Sequence, residues 1–310
     1  MIAFVFPGQG SQYVGMGKEL YDEFGAAKNT FEEANDVLGF DLAKLCFEGP
    51  QSELSLTANA QPALLTTSIA CLRVLENETS FKPNFVAGHS LGEYTALVAN
   101  GAMKLSEAVH TVRKRGEFMQ EAVPVGIGAM AAVLGLDKER VAEICTQVSQ
   151  NGMIASPANL NAPGQTVISG NKEAIQEASS IAKSQGAKRV VPLDVSAPFH
   201  CLLMKPAADR LSGVLDEVIF AKMSAPVVAN CTASVTNDPN ELKELLINQV
   251  TSPVRWFESV EELNSAGCSN FIEIGPKNVL SGLIKRTLTD VSVSNFEKIS
   301  QLELIKNGQT

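Results

Sequence analysis

The chain has 310 residues, 45% of them apolar and 19% charged, with 25 Lys and Arg against 34 Asp and Glu for a formal charge of −9. Those proportions are ordinary for a globular protein and exclude the disordered and fibrous classes. The acidic balance, without any Lys/Arg run, speaks against a nucleic-acid partner, and no stretch approaches the roughly 18 uninterrupted apolar residues of a membrane span.

The first residues carry neither a basic leader nor a small-residue cleavage site, so no signal peptide is expected. Ile2–Phe6 is a short apolar run ended by Pro7-Gly8, which reads as a buried strand and a tight turn. Helical patterns follow at 17–24, 29–38 and 61–76. A second short strand is predicted at 84–88, a small-residue helix at 91–100 and an amphipathic helix at 105–123. Strands alternating with helices imply a mostly parallel sheet.

The rhythm then changes. A strand at 129–134, a helix at 138–149, strands at 153–160 and 166–169, a helix at 173–185 and a strand at 188–195 follow in turn. The order β-α-β-β-α-β is a ferredoxin-like signature. It predicts a small subdomain at 125–195 inserted into a larger α/β domain made of 1–124 and 196–310. The larger domain resumes with a strand at 226–230, a helix at 240–250 and a strand at 270–274 closed by Gly275-Pro276. The tail after Ser294 is polar and weakly patterned and is expected to be partly mobile.

Six cysteines (Cys46, Cys71, Cys145, Cys201, Cys231, Cys268) lack any Cys-x-x-Cys pair and read as reduced thiols of a cytosolic protein. Three histidines, His89, His110 and His200, are too few and too dispersed for a zinc site, so no metal is expected.

Gly88-His89-Ser90-Leu91-Gly92 is a Gly-x-Ser-x-Gly sequence between a predicted strand and a predicted helix. In that context the sharp turn lifts the serine hydroxyl into the open, and the helix N-terminus offers N–H groups to a developing oxyanion. The plainer reading is a serine that only caps a helix; the strand–turn–helix setting favours the nucleophile. A serine needs a base. His89 is expected to point away from Ser90 on such a turn, and His110 sits inside a helical pattern as a surface or packing residue. His200 lies in a loop after the last subdomain strand and is favoured over the other two. No acid is obviously placed to orient it; Asp194 is expected in or at the end of a strand. A carbonyl can fix the imidazole tautomer instead.

Several stretches together are similar to the malonyl-CoA:acyl carrier protein transacylases of bacterial type II fatty-acid synthesis. They are Phe6-Pro7-Gly8-Gln9-Gly10-Ser11-Gln12, Gly88-His89-Ser90-Leu91-Gly92-Glu93-Tyr94, Arg115-Gly116-Glu117-Phe118-Met119-Gln120, Asn161-Ala162-Pro163-Gly164-Gln165, Pro198-Phe199-His200 and Ile274-Gly275-Pro276. The resemblance runs from about residue 2 to about residue 290 in the family's order and spacing. It implies an α/β-hydrolase-like core with a short parallel sheet plus an inserted ferredoxin-like subdomain, the active site lying in the gorge between them.

The resemblance also implies roles. Ser90 would be the acylated nucleophile and His200 its base and acid, with Gln249 orienting His200 through its main-chain carbonyl. The N–H groups of Gln9 and Leu91 would form the oxyanion hole. Arg115 would hold the malonyl carboxylate, for which a planar, permanently charged fork is suited; by spacing alone Arg115 does not differ from Arg113 and Lys114. In related polyketide acyltransferases a Phe at the position of Phe199 goes with malonyl and a Ser with methylmalonyl, since a ring crowds an α-methyl branch. Met119, one turn beyond Arg115, is expected in the same pocket, and Asn159 and Asn161 are candidate partners for the pantetheine amides. Malonyl-CoA and an acyl carrier protein are the implied partners. CoA and phosphopantetheine enter as parts of the substrates, with no resident cofactor, and a monomer is expected. An acidic carrier calls for a basic docking patch. Lys188-Arg189 and Lys285-Arg286 are the candidate pairs, against the alternative of ordinary solvated charge.

Three other functions compete. A serine esterase or thioesterase fits the elbow, but such enzymes run Ser…Asp…His with a late histidine, whereas about 110 residues follow His200 here. A methylmalonyl or polyketide-loading acyltransferase stays open within the family. A non-catalytic carrier-binding module is disfavoured by the full set of expected catalytic residues.

Overall fold

The computed structural model describes residues 1–306 except 125, 151 and 196; the two predicted subdomain limits at 125 and 196 and the last residues, 307–310, lie outside the described residues. Among the described residues, ten strands form two sheets. β1 (Ile2–Phe6), β2 (Phe85–Gly88), β7 (Val227–Ala229), β8 (Ser234–Thr236), β9 (Asn270–Ile274) and β10 (Ser292–Phe296) make a six-stranded sheet in the order β10-β9-β1-β2-β7-β8. Its strands are parallel except for the β7–β8 hairpin. β3 (Gly128–Leu134), β4 (Ala155–Ala162), β5 (Gln165–Asn171) and β6 (Arg189–Pro192) make an antiparallel sheet in the order β4-β5-β3-β6.

β1 sits in the middle of the larger sheet, and Ala3, Phe4, Val5 and Phe6 are all fully buried. That explains a continuous apolar run rather than an alternating one: a parallel strand covered on both faces has no wet side. On one face lies the main core, built on the helix Thr57–Glu78, of which seventeen residues are buried. On the other face Trp256, Val260 and Leu263 of the helix Trp256–Ser265 pack with Ala3, Val5 and Phe271. The smaller sheet keeps its own core against the helices Lys138–Val148 and Lys172–Ser184.

Main chain ties β4 to the segment between the helices Pro239–Thr251 and Trp256–Ser265. Val254 donates to Ala158 O at 2.9 Å and accepts from Leu160 N at 2.9 Å, flanking a parallel bridge between Asn159 and Val254. The register of β4 shifts between Pro157 and Asn159; such a bulge re-aims the side chain that follows it.

The structure departs from the pattern reading in three places. The weakly patterned tail forms regular structure through Lys306: β10 pairs with β9 over five residues, and the helix Ile299–Lys306 buries Leu302 and Ile305. Its pattern is faint because an edge strand and a one-face helix need only a few apolar anchors. The strand predicted at 188–195 stops at Pro192, and Leu193, Asp194 and Val195 run on as exposed irregular chain. The sequence reading also lacked the helices Lys205–Leu215, Trp256–Ser265 and Val279–Thr287. Among the described residues no helix is long and apolar enough to cross a membrane.

Candidate active site

β2 ends at Gly88, the helix Leu91–Ala99 starts two residues after His89, and Ser90 between them has φ 53° and ψ −103°. For a residue with a Cβ this backbone is strained, by an amount of order 1–3 kcal/mol. The glycines make the turn possible. A Cβ on Gly88 would stand 1.9 Å from Gly92 C, and one on Gly92 would stand 2.1 Å from Phe6 O. The elbow is also held from outside: Asn230 accepts the Ser90 N–H through Oδ1 at 2.7 Å and donates from Nδ2 to Gly88 O at 2.7 Å.

His200 has φ 58° and is 3% exposed. Its Nε2 lies 2.7 Å from Ser90 Oγ and its Nδ1 2.9 Å from the carbonyl of Gln249. A carbonyl only accepts, so Nδ1 carries the proton and Nε2 is free to take one from the serine. Burial, and next the charge of Arg115, lower the His200 pKa to about 3; the imidazole is neutral at ordinary pH. Asp194 lies in the cavity wall, and the oriented Nδ1 belongs to Gln249. His89 turns to Asn161, Nε2 to Oδ1 at 2.9 Å, and His110 is exposed in a separate groove.

Arg115 is 2% exposed. Nη1 donates to Gln61 Oε1 at 2.8 Å; Nη2 donates to Ser90 Oγ at 3.0 Å and Gln249 Oε1 at 2.9 Å. The guanidinium carbon sits 5.5 Å from the centre of the Tyr94 ring. Helix crossing sets this position. A Cβ on Gly116 would stand 2.7 Å from both Ala58 Cα and Thr57 O, so the helices Thr57–Glu78 and Leu105–Glu121 touch backbone to backbone there. Pro62 lacks an N–H and leaves the carbonyl of Ala58 unused within its helix; Arg113 Nη1 donates to that oxygen at 3.0 Å. Arg113 thus faces the helix end, and Arg115 faces the serine.

Behind the serine, Gln249 Nε2 donates to Ser90 O at 2.9 Å and Glu93 Oε2 at 2.7 Å. Burial raises the Glu93 carboxyl to about 7. Glu93, Asn230 and Gln61 were not singled out from the sequence. Glu93 lies in the elbow stretch, three residues after Ser90, and Gln61 is a lone amide before a long apolar run; those are the only signals, since their partners are distant in the chain.

A cavity of about 520 Å³ opens over the serine, lined by Ser90, His200, Arg115, Gln9, Met119, Phe199 and Asn159 among others. Of the two asparagines proposed for the pantetheine, Asn159 is in the lining. Asn161 is not, its carbonyl oxygen being engaged by His89. A Cβ on Gly8 would stand 2.4 Å from His89 O, so the loop carrying Gln9 runs against the elbow. The N–H groups of Gln9 and Leu91 donate to no backbone or side-chain acceptor among the described residues. Lys188, Arg189, Lys285 and Arg286 are exposed and lie outside the cavity. Arg189 pairs with Leu134 and Leu134 with Gln165, whose side chain accepts from Arg286 Nη1 at 2.8 Å. Arg189 and Arg286, one from each pair, therefore meet at one end of the smaller sheet.

Residues 3–309 match the acyl transferase domain family. The malonyl CoA-acyl carrier protein transacylase of Bacillus subtilis (strain 168) is 54% identical over 301 residues, spanning 96% of this chain and 95% of its own. The crystal structure of an acyl carrier protein S-malonyltransferase from Vibrio cholerae superposes with a TM-score of 0.96 at 45% identity, covering 98% of this chain and 99% of that one. A malonyl-transacylase solved in complex with its type II PKS acyl-carrier protein gives 0.96 at 45% identity, with 99% of each chain covered.

Proposed function

The chain belongs to the acyl transferase domain family, and we propose that it moves a malonyl group from malonyl-CoA to the phosphopantetheine thiol of an acyl carrier protein through a malonyl ester on Ser90. One observation carries the reading. The Ser90 hydroxyl lies 2.7 Å from a base, His200 Nε2, and 3.0 Å from a buried cation, Arg115 Nη2, at a cavity. A hydrolase needs the first pair; an enzyme selecting an acyl group with a free carboxylate needs the second.

In the first half-reaction His200 Nε2 takes the Ser90 proton as Oγ attacks the thioester carbonyl. The oxyanion meets the N–H groups of Gln9 and Leu91. The C–S bond then breaks, and CoA leaves with the proton from His200. In the second half the carrier thiol gives its proton to His200 and attacks the malonyl-serine ester. Ser90 recovers the proton as the carrier thioester forms, a ping-pong course. Gln249 fixes the tautomer throughout. Arg115 pairs with the malonyl carboxylate, and Met119 and Phe199 shape the space beside it; the Phe199 ring favours malonyl over an α-methyl branch. Asn159 faces the pantetheine arm. Every role falls to a protein group, so the reaction runs without metal or redox cofactor; a chelator should leave the rate unchanged.

The smaller sheet and its two helices form a ferredoxin-like subdomain on an α/β-hydrolase-like core, and the two basic pairs at its end receive the acidic carrier. The six thiols, free in the structure, suit a reducing cytosol. One chain carries Ser90, His200, Gln249 and Arg115, so a monomer suffices. Intact mass after mixing with malonyl-CoA should rise by one malonyl, about 86 Da, carried by the ester. The gain should vanish in Ser90→Ala; a label that survives there would sink the reading.

A further inference from the structure

Glu93 is 2% exposed, on the first turn of the helix Leu91–Ala99, and its side chain faces the back of the site. Oε2 accepts from Gln249 Nε2 at 2.7 Å and from the Asn230 N–H at 3.1 Å. A buried carboxylate is costly even with two donors and a helix N-terminus beside it, and an apolar side chain of similar size would serve stability as well or better. What the carboxylate adds is direction.

An ionised carboxylate only accepts hydrogen bonds, and a guanidinium only donates them. The Gln249 amide lies between the two, Nε2 on Glu93 and Oε1 on Arg115 Nη2 at 2.9 Å. One amide orientation makes both bonds. The flipped one sets NH2 against guanidinium and C=O against carboxylate. Through that amide Glu93 fixes Nη2, the nitrogen that also reaches Ser90 Oγ. Through Asn230 the same oxygen steadies the elbow, since Asn230 grips the Ser90 N–H and the Gly88 carbonyl. Cation and nucleophile are thereby referred to one buried anion.

We propose that Glu93 is a positioning residue for carboxylate-bearing acyl groups, its bonds to Gln249 and Asn230 locking Arg115 and Ser90 in the one relative geometry that a terminally charged acyl chain can span. Glu93 itself touches no substrate. The proposal rests on the malonyl-transfer reading and names what sets its selectivity.

The test uses the full chain with Glu93→Gln, which keeps the shape and loses the acceptor-only character. Acylation of Ser90 from malonyl-CoA and from acetyl-CoA is followed at pH 8, where the wild-type carboxyl is ionised. The malonyl-to-acetyl ratio of kcat/KM should fall by about tenfold, the loss of one charge-assisted bond's worth of order. A merely structural role would lower the melting temperature and slow both substrates alike; a ratio within about twofold of wild type overturns the proposal. Gln249→Met breaks the same relay at its centre and reads out the same ratio should Glu93→Gln not fold; there too an unchanged ratio overturns it. Wild type that gains no malonyl on Ser90 sinks the transfer reading, whereas labelled wild type with an unaltered ratio in the variants sinks only the role of Glu93.

Discussion

Replacing Arg115 by Met removes one charge while keeping much of the apolar stem, and it separates two consequences of a cation beside a Ser-His pair. The first is selectivity. A charge-assisted contact to the malonyl carboxylate is worth about 1.5–3 kcal/mol, so the malonyl-to-acetyl ratio should drop by roughly ten- to a hundredfold. The second is basicity. His200 is held at about 3, first by burial and then by the Arg115 charge. Only the neutral imidazole accepts the serine proton, so the acid limb of wild-type acylation should lie far below the ordinary histidine range. Taking out the like charge makes the imidazolium less costly, and the limb should move upward by about one to two pH units. Burial remains, so the limb stops short of 6.5, the ordinary value. The assay is the pH dependence of Ser90 acylation from acetyl-CoA, which brings no carboxylate of its own to cancel the guanidinium. A limb that stays put or moves down would refute the electrostatic reasoning, and equal losses for the two acyl groups would refute the clamp.

Gly116→Ala drives a methyl into the Ala58–Thr57 backbone, where its Cβ would stand 2.7 Å from both. It should cost about 1–3 kcal/mol of stability and slow malonyl transfer by displacing Arg115; unchanged melting and rate would show that the crossing does not set the site. Reversing Lys188, Arg189, Lys285 and Arg286 to Glu should raise the KM for the carrier and spare acylation by malonyl-CoA, and unaltered carrier kinetics would remove the docking surface. The buried groups also set opposing pH slopes. Glu93, raised to about 7 from 4.5, contributes less stability as pH climbs through that window, because the native state gives up a proton the unfolded chain has already lost. His200, lowered to about 3 from 6.5, loses its contribution as pH falls from 6.5. Glu93→Gln leaves the His200 slope unopposed, so melting temperature should rise more steeply between about pH 5 and 7 than in wild type; parallel curves would contradict this.

Periodicity and glycine spacing made the elbow legible. Gly88 and Gly92 matter through local backbone contacts, and local rules are what a sequence exposes. Arg115 is different. Arg113, Lys114 and Arg115 are equivalent until two helices cross at Gly116 and Pro62 frees the Ala58 carbonyl for Arg113; only the family resemblance set Arg115 apart. Gln249 acts on His200 through a main-chain oxygen, which no side-chain pattern encodes. Asn230 reaches Ser90 across 140 residues and Gln249 reaches Glu93 across 156, so neither bond could be read along the chain. In the fold, β8 is three residues long, too short to show a period, and β10 is an edge strand with only Phe296 fully buried. The helix Trp256–Ser265, by contrast, repeats Trp256, Val260 and Leu263 at helical spacing and was within reach of the pattern.

His200 is oriented by a main-chain carbonyl rather than an acid, and Arg115 stands on the other side of the same serine. A carboxylate placed to orient the imidazole would add a second buried anion to a site whose cation, Arg115, already touches Ser90 Oγ and Gln249 Oε1. The Gln249 carbonyl orients Nδ1 with a dipole and adds no charge beside the guanidinium. Glu93, one amide away, supports the cation without covering it. Ser90 is therefore paired with a weak base under a positive field. If Arg115 holds the malonyl carboxylate as proposed, the substrate's own charge would offset the field and raise the basicity of the imidazole in the same step that it is bound. An acetyl group would do neither, and on that reading recognition and activation are one electrostatic event.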